Sequence, residues 1–246
     1  METSNAALYG KGIFTTIRIV NGEPWLWEKH WRRLCDNAAK VGIDLSAFSE
    51  QHVLDRLKYE LHHHLLLTGR ARLTFYDESD AELWSGSTEK RTSLSVVVGK
   101  LRSRKNDLRL TVSPNLVNST SPLVGVKSCN YLEQTLSLDE AKSRGFDEAI
   151  RVNEHGHITS ACMGNVFWLR DGRLFTPSLT TGCLAGTTRE YLLESVACEE
   201  IEADILELEK ADAIYLTSAG LGMTHVAELD GRLIGDTRSA IDDLEI

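Results

Sequence analysis

Lys127 stands among small, uncharged neighbours in the stretch VGVKSC, residues 124–129. Such neighbours leave an amine poorly solvated, which lowers its pKa and suits it to Schiff-base formation with a carbonyl. The ordinary alternative is a solvated lysine ahead of a helix. Three further stretches could hold an anion. GTTRE (186–190) opens a helix, where backbone N–H groups and the hydroxyls of Thr187 and Thr188 suit a phosphate; a plain N-cap is the other reading. HWRRL (30–34) carries Arg33, whose guanidinium can grip a phosphate bidentately or can simply face solvent on a helix. TSAGLG (217–222) is a turn rich in hydroxyls and glycine that presents N–H groups to an anion or closes a hairpin. A fifth stretch, HITSACMGNVFW (157–168), puts a run of small residues ahead of a strand, as though something flat lies against it.

Other chemistries find no support. GxGxxG after a strand, GxxxxGK[ST] and GxSxG are all missing from the sequence. The five cysteines form no CxxC pair, and no Cys/His spacing matches a zinc site, so no metal is expected. His62, His63 and His64 are consecutive on an expected helix, where neighbours point about 100° apart, so they cannot share one ion.

The elements that position these residues follow from periodicity. Residues 12–27 alternate around Asn21-Gly22, the strongest short hairpin signal. Helical spacing covers 28–43 and 49–66, and strands are expected at 70–77 and 92–101. The polar, basic stretch 100–107 reads as a linker between a small N-terminal domain, 1–99, and a larger one, 108–246. The latter opens with a strand at 108–114 and has a helix at 131–145 closed by Gly145. It continues with two strands in 147–159, a hairpin at 166–177 turning on Asp171-Gly172, a helix at 186–200, and strand, turn, strand over 212–234. The class is α+β, with a small α/β N-terminal domain and a β-rich C-terminal one.

The chain has 246 residues, 42% of them hydrophobic and 26% charged, an ordinary globular balance. Its net charge of −9 disfavours a nucleic-acid partner. No apolar run is long enough to span a membrane, and METSNAALYG lacks the features of a signal peptide, so a cytoplasmic protein is expected.

A Schiff-base lysine with three candidate phosphate cradles is the combination that pyridoxal phosphate chemistry requires. In order and spacing, the blocks YGKGIF, HWRRL, VKSCNYLEQ, FDEAIRVNEHGHIT, NVFW, LFTPSLTTGCLAGTTRE and VAELDG resemble the class IV aminotransferase family, the fold-type IV pyridoxal phosphate enzymes. The resemblance runs from about Tyr9 to about Gly231. It implies a two-domain fold like that of D-amino acid aminotransferase. Lys127 matches the lysine that holds the cofactor covalently. Arg33, Thr187 and Thr188 match its phosphate-binding positions, and Ser218 and Ala219 fall on the turn that closes over the phosphate. Tyr131 corresponds to a tyrosine that some members use near the ring hydroxyl. Tyr9 and Phe14 fall where the small domain lines the substrate pocket. The family also implies a homodimer and a small-molecule amino substrate.

Three positions depart from the family pattern. Ser160 stands where a glutamate usually meets the pyridine nitrogen; serine can hydrogen-bond there but supplies no negative charge. Thr15 replaces a frequent glutamate, and His225 a frequent proline. A ring whose nitrogen lacks an acid is a weaker electron sink, which harms a transaminase more than some lyases. With the short chain and the NVFW and TSAGLG blocks, this favours an activity like 4-amino-4-deoxychorismate lyase, which eliminates pyruvate and leaves 4-aminobenzoate. The alternative is a branched-chain or D-amino acid aminotransferase, which the YGKGIF and LAGTTRE blocks resemble. A pyridoxal phosphate-binding homologue with impaired catalysis is the third reading.

Overall fold

The computed structural model describes residues 3–81, 89–101, 107–235, 237 and 239–244, apart from the side chains of 240 and 243. Its chain divides into two compact units. Met1–Arg102 with Val126–Asn130 form the first, and Ser103–Gly125 with Tyr131–Ile246 the second. The linker expected at 100–107 falls mainly on residues 102–106, outside the described residues.

The first unit contains α1 (Asn5–Tyr9), β1 (Gly12–Val20), β2 (Glu23–Pro24), α2 (Trp27–Val41), α3 (Glu50–His63), β3 (Gly69–Asp77) and β4 (Thr92–Gly99). The strands form one antiparallel sheet in the order β2-β1-β3-β4. Asn21 and Gly22 both take positive φ, 53° and 81°, as a type I′ turn requires. The hairpin they close is short, because the chain leaves the sheet for α2 at Trp27. Its first arm instead finds a long partner in β3, in register from Gly12↔Tyr76 to Ile19↔Gly69. Ile13, Ile17 and Ile19 of β1 are buried in one core with Leu34 of α2 and Val53, Leu57 and Leu61 of α3. The period of two puts Thr15 on that same face and Phe14 on the opposite one.

The second unit contains β5 (Leu108–Val112), α4 (Leu132–Ser143), β6 (Glu148–Val152), β7 (Ile158–Ala161), β8 (Asn165–Arg170), β9 (Arg173–Pro177), α5 (Thr187–Ser195), β10 (Glu199–Ile201), α6 (Ile205–Glu209), β11 (Ala213–Ser218), β12 (Gly222–Leu229) and β13 (Arg232–Leu233). Its sheet runs β10-β9-β8-β11-β12-β5-β6-β7, with β13 on β12. The core includes Leu110, Ile150, Trp168, Phe175, Ile214 and Leu216. On the other face of β6, Ala149 packs with Ala141 of α4 and with Cys162.

Most expected elements are present, with trimmed ends. The helix expected over 186–200 is the main correction. It stops at Ser195, since Val196 is extended (φ −136°, ψ 154°) and residues 199–201 pair in parallel with β9. Among the described residues, no helix is long and apolar enough to cross a membrane.

Candidate active site

In the first unit, Lys127 is brought to β1 by backbone pairing. The Phe14 N–H donates to the Lys127 carbonyl at 2.9 Å, and the Cys129 N–H donates to the Gly12 carbonyl at 2.8 Å. This seam explains a glycine of the YGKGIF block. A Cβ on Gly12 would lie 2.8 Å from the Cys129 sulfur and 3.1 Å from the Phe75 carbonyl oxygen. Paired in this way, Lys127 sets its Nζ 4.5 Å from the centre of the Phe14 ring. Loss of solvent around the ammonium, followed by the charges of Arg33 and Arg72, lowers its pKa to about 7. Lys127 is therefore both an amine and an ammonium near neutral pH.

Arg33 is held in turn from α2. Its Nη2 donates to the Thr15 hydroxyl at 2.8 Å, and that hydroxyl lies 2.6 Å from Nδ1 of the fully buried His30. Burial, then Arg33 and Lys127, hold the His30 pKa well below the usual histidine value, so its imidazole is neutral. Arg33 can only donate, and the hydrogen of the Thr15 hydroxyl is then free to bond Nδ1. Thr15, a departure from the family pattern, is thus the joint of this network. The guanidinium of Arg72 on β3 also lies over the Phe14 ring, its Cζ 3.6 Å from the ring centre. No carboxylate among the described residues pairs with Arg72. His30 and Arg72 were not singled out in the sequence. The cross-strand register that puts Arg72 beside Phe14 becomes visible only when β1 and β3 are paired. Tyr9 is the last residue of α1 and half-buried.

The second unit holds the remaining residues in two places. In the first, Thr187 and Thr188 are buried and begin α5, whose N-cap, Gly186, makes no side-chain capping bond. The Thr188 hydroxyl oxygen has no hydrogen-bond partner. Asn165, at the head of β8, ties this corner together. Its amide donates to the Leu184 carbonyl at 2.8 Å, and a Cβ on Gly186 would meet its Oδ1 at 2.0 Å. Asn165 also pairs across the sheet with Thr217 of β11, whose hydroxyl oxygen is buried without a partner as well. Ser218 ends β11 and accepts from the Leu221 N–H at 3.2 Å, shaping the turn that contains Ala219. The helix start and the 218–219 turn therefore flank one asparagine.

In the second place, Ser160 lies on β7, directly opposite Arg151 of β6. The small-residue run after it is anchored by Glu148, which sequence reasoning passed over. Its buried carboxylate accepts from the backbone N–H groups of Ala149, Cys162 and Met163 at 2.9, 3.1 and 3.2 Å. Tyr131 stands at the N-cap of α4. Lys127, Arg33 and Phe14 are thus gathered in one unit, and Tyr131, Ser160, Thr187, Thr188, Ser218 and Ala219 belong to the other.

Comparison with known proteins gives one family. A putative branched-chain-amino-acid aminotransferase of Methanocaldococcus jannaschii is 27% identical over 237 residues, covering 93% of this chain and 82% of the relative. An aminodeoxychorismate lyase of Bacillus subtilis is 28% identical over 250 residues, covering 95% and 84%. The crystal structure of a putative 4-amino-4-deoxychorismate lyase from Legionella pneumophila superposes with a TM-score of 0.89 at 27% identity, covering 98% of this chain and 90% of that one. The family model for amino-transferase class IV matches residues 12–229, nearly the whole length, and the chain belongs to that family.

Proposed function

We propose that this protein is a pyridoxal phosphate-dependent enzyme that acts as a 4-amino-4-deoxychorismate lyase, releasing pyruvate and leaving 4-aminobenzoate. The observation that carries the reading is Lys127, an amine with a pKa of about 7 set against Phe14 beside two arginines. An amine poised at the operating pH can take a proton at Nζ and return it. The B. subtilis and L. pneumophila relatives support the lyase reading.

The residues present fit the cofactor. Thr188 and Thr217 carry buried hydroxyl oxygens with no partner. An unmet buried polar group costs about 1–3 kcal/mol, which a phosphate oxygen would recover. When bound, pyridoxal phosphate supplies an aldehyde that takes an amine and a ring that accepts electron density. Arg33, Thr187, Thr188, Ser218 and the N–H of Ala219 would hold its phosphate, and Lys127 its aldehyde carbon. Ser160 would face the ring nitrogen and Tyr131 the ring hydroxyl. Phe14 and Tyr9 would line the substrate side and exclude water. Arg72, with no carboxylate of its own among the described residues, would attract a substrate carboxylate. We place the enzyme in the cytoplasm as a homodimer.

Incubation of the cofactor-loaded protein with 4-amino-4-deoxychorismate should give 4-aminobenzoate and pyruvate in equal amounts. Faster release of 2-oxo acids from branched-chain or D-amino acids, with no 4-aminobenzoate, would overturn the lyase reading in favour of the activity named for the M. jannaschii relative.

A further inference from the structure

Arg151 is a buried cation with little to neutralise it. Its side chain is 3% exposed, and its Nε has no hydrogen-bond partner. Among the described residues its one ion pair is long, Nη2 to the Glu133 carboxylate at 3.4 Å, and Glu133 is itself 76% exposed at the start of α4. A buried arginine is ordinarily paired closely, because desolvating its charge is costly. The strand register shows where this charge is aimed. Arg151 and Ser160 are direct antiparallel partners on β6 and β7, so their side chains leave the sheet on the same face. The adjacent pair, Ile150 and Ala161, faces the opposite side, into the core.

Resting on the reading that Ser160 faces the cofactor's ring nitrogen, we propose that Arg151 sets the protonation state of that nitrogen, keeping it unprotonated at neutral pH. A fixed positive charge beside a pyridine disfavours a second one on the ring, and the guanidinium is a donor that matches only the neutral nitrogen. The other ionisable groups nearby do not offset it. Glu133 is largely in solvent. The Glu148 carboxylate is taken up by three backbone N–H groups. Burial, then Glu148, pushes the Cys162 thiol up to about 12, so it stays neutral. Ser160 brings no charge. In this chain the missing carboxylate is thus accompanied by a cation on the facing strand, and the edge is electropositive rather than merely uncharged.

The test uses the full chain loaded with pyridoxal phosphate carrying 15N in its ring. The nitrogen's NMR shift reports its protonation directly, without turnover. In the unmodified protein it should remain in the unprotonated range from about pH 9 down to about pH 5. Arg151→Gln should raise the nitrogen's pKa by at least about one unit, a tenfold change in the protonated fraction at a given pH. Ser160→Ala, which keeps the cation, should leave it unprotonated. A protonated nitrogen at pH 7 in the unmodified protein overturns the proposal, as does an Arg151→Gln variant with an unchanged pKa. The first of these measurements decides even if the glutamine variant does not fold. Uptake of the cofactor is read separately, as visible absorbance that survives dialysis. Absence of that band would sink the functional reading and this proposal together, whereas a band with a protonated nitrogen sinks the proposal alone.

Discussion

The surroundings of Thr15 and of Thr188 look alike in composition and differ in what they leave undone. Both are buried threonines near arginines or backbone donors. Thr15 is fully engaged, taking a hydrogen bond from Arg33 and lying 2.6 Å from neutral His30. Thr188 has no partner, nor does Thr217 in the same corner. In the first region the Thr15 hydroxyl is taken up by its neighbours, and the lowered pKa of Lys127 is the reactive feature. The second keeps its capacity open at a helix start, as an anion site would before its ligand arrives. One buried hydroxyl stabilises the folded chain, and the other is a cost until something binds.

Substitutions can break that contrast. The largest effect is expected from Lys127→Ala. Product formation should fall by about 10²–10⁴-fold or more, and the visible band of the loaded protein should disappear. A retained band would show that another amine holds the cofactor. Next, Thr15→Val should destabilise the cofactor-free protein by about 1–3 kcal/mol in chemical denaturation, because it removes the buried hydroxyl that Arg33 and His30 both engage. No loss of stability would show the network to be idle.

Stability should also depend on pH. Lys127 loses its proton near pH 7 in the folded chain, and near 10.4 when unfolded. Between those values the unfolded chain binds more protons, so this group's contribution to stability rises with pH from about 7 to about 10 and is flat below. The slope is at most about tenfold in the folding constant per pH unit. It should be absent from Lys127→Met, as denaturation midpoints across that window would show. The smallest change is expected from Thr188→Val. It should leave the cofactor-free protein as stable or slightly more so, and weaken cofactor binding by about 1 kcal/mol in a titration. If both threonine variants behaved alike, the contrast between the two regions would fail.

Much of this was legible in the sequence where the signal is local. Asn21-Gly22 foretold its turn, and Lys127 stood out because its immediate neighbours are small. The helix start at Thr187 was legible for the same reason. What escaped the sequence depends on residues far apart in the chain. Arg72 meets Phe14 because Thr16 and Arg72 are partners across β1 and β3. Arg151 meets Ser160 through the β6–β7 register, and a single-residue slip would have turned them to opposite faces. The overrun of the helix at 186–200 has a similar cause. Cys198, Glu199 and Glu200 are compatible with a helix by propensity, but β9 offers residues 199–201 an open edge.

The membership of Val126–Asn130 in the first unit has a consequence for how the chain can be cut. The backbone passes from one unit to the other three times, near residues 102, 125 and 130. A fragment ending at residue 102 would keep every strand of the four-stranded sheet and yet lose the reactive amine. It would also expose the Phe14 N–H and the Gly12 carbonyl, which Lys127 and Cys129 now engage, as a raw margin open to self-association. Severing the chain at one point cannot give two self-sufficient halves.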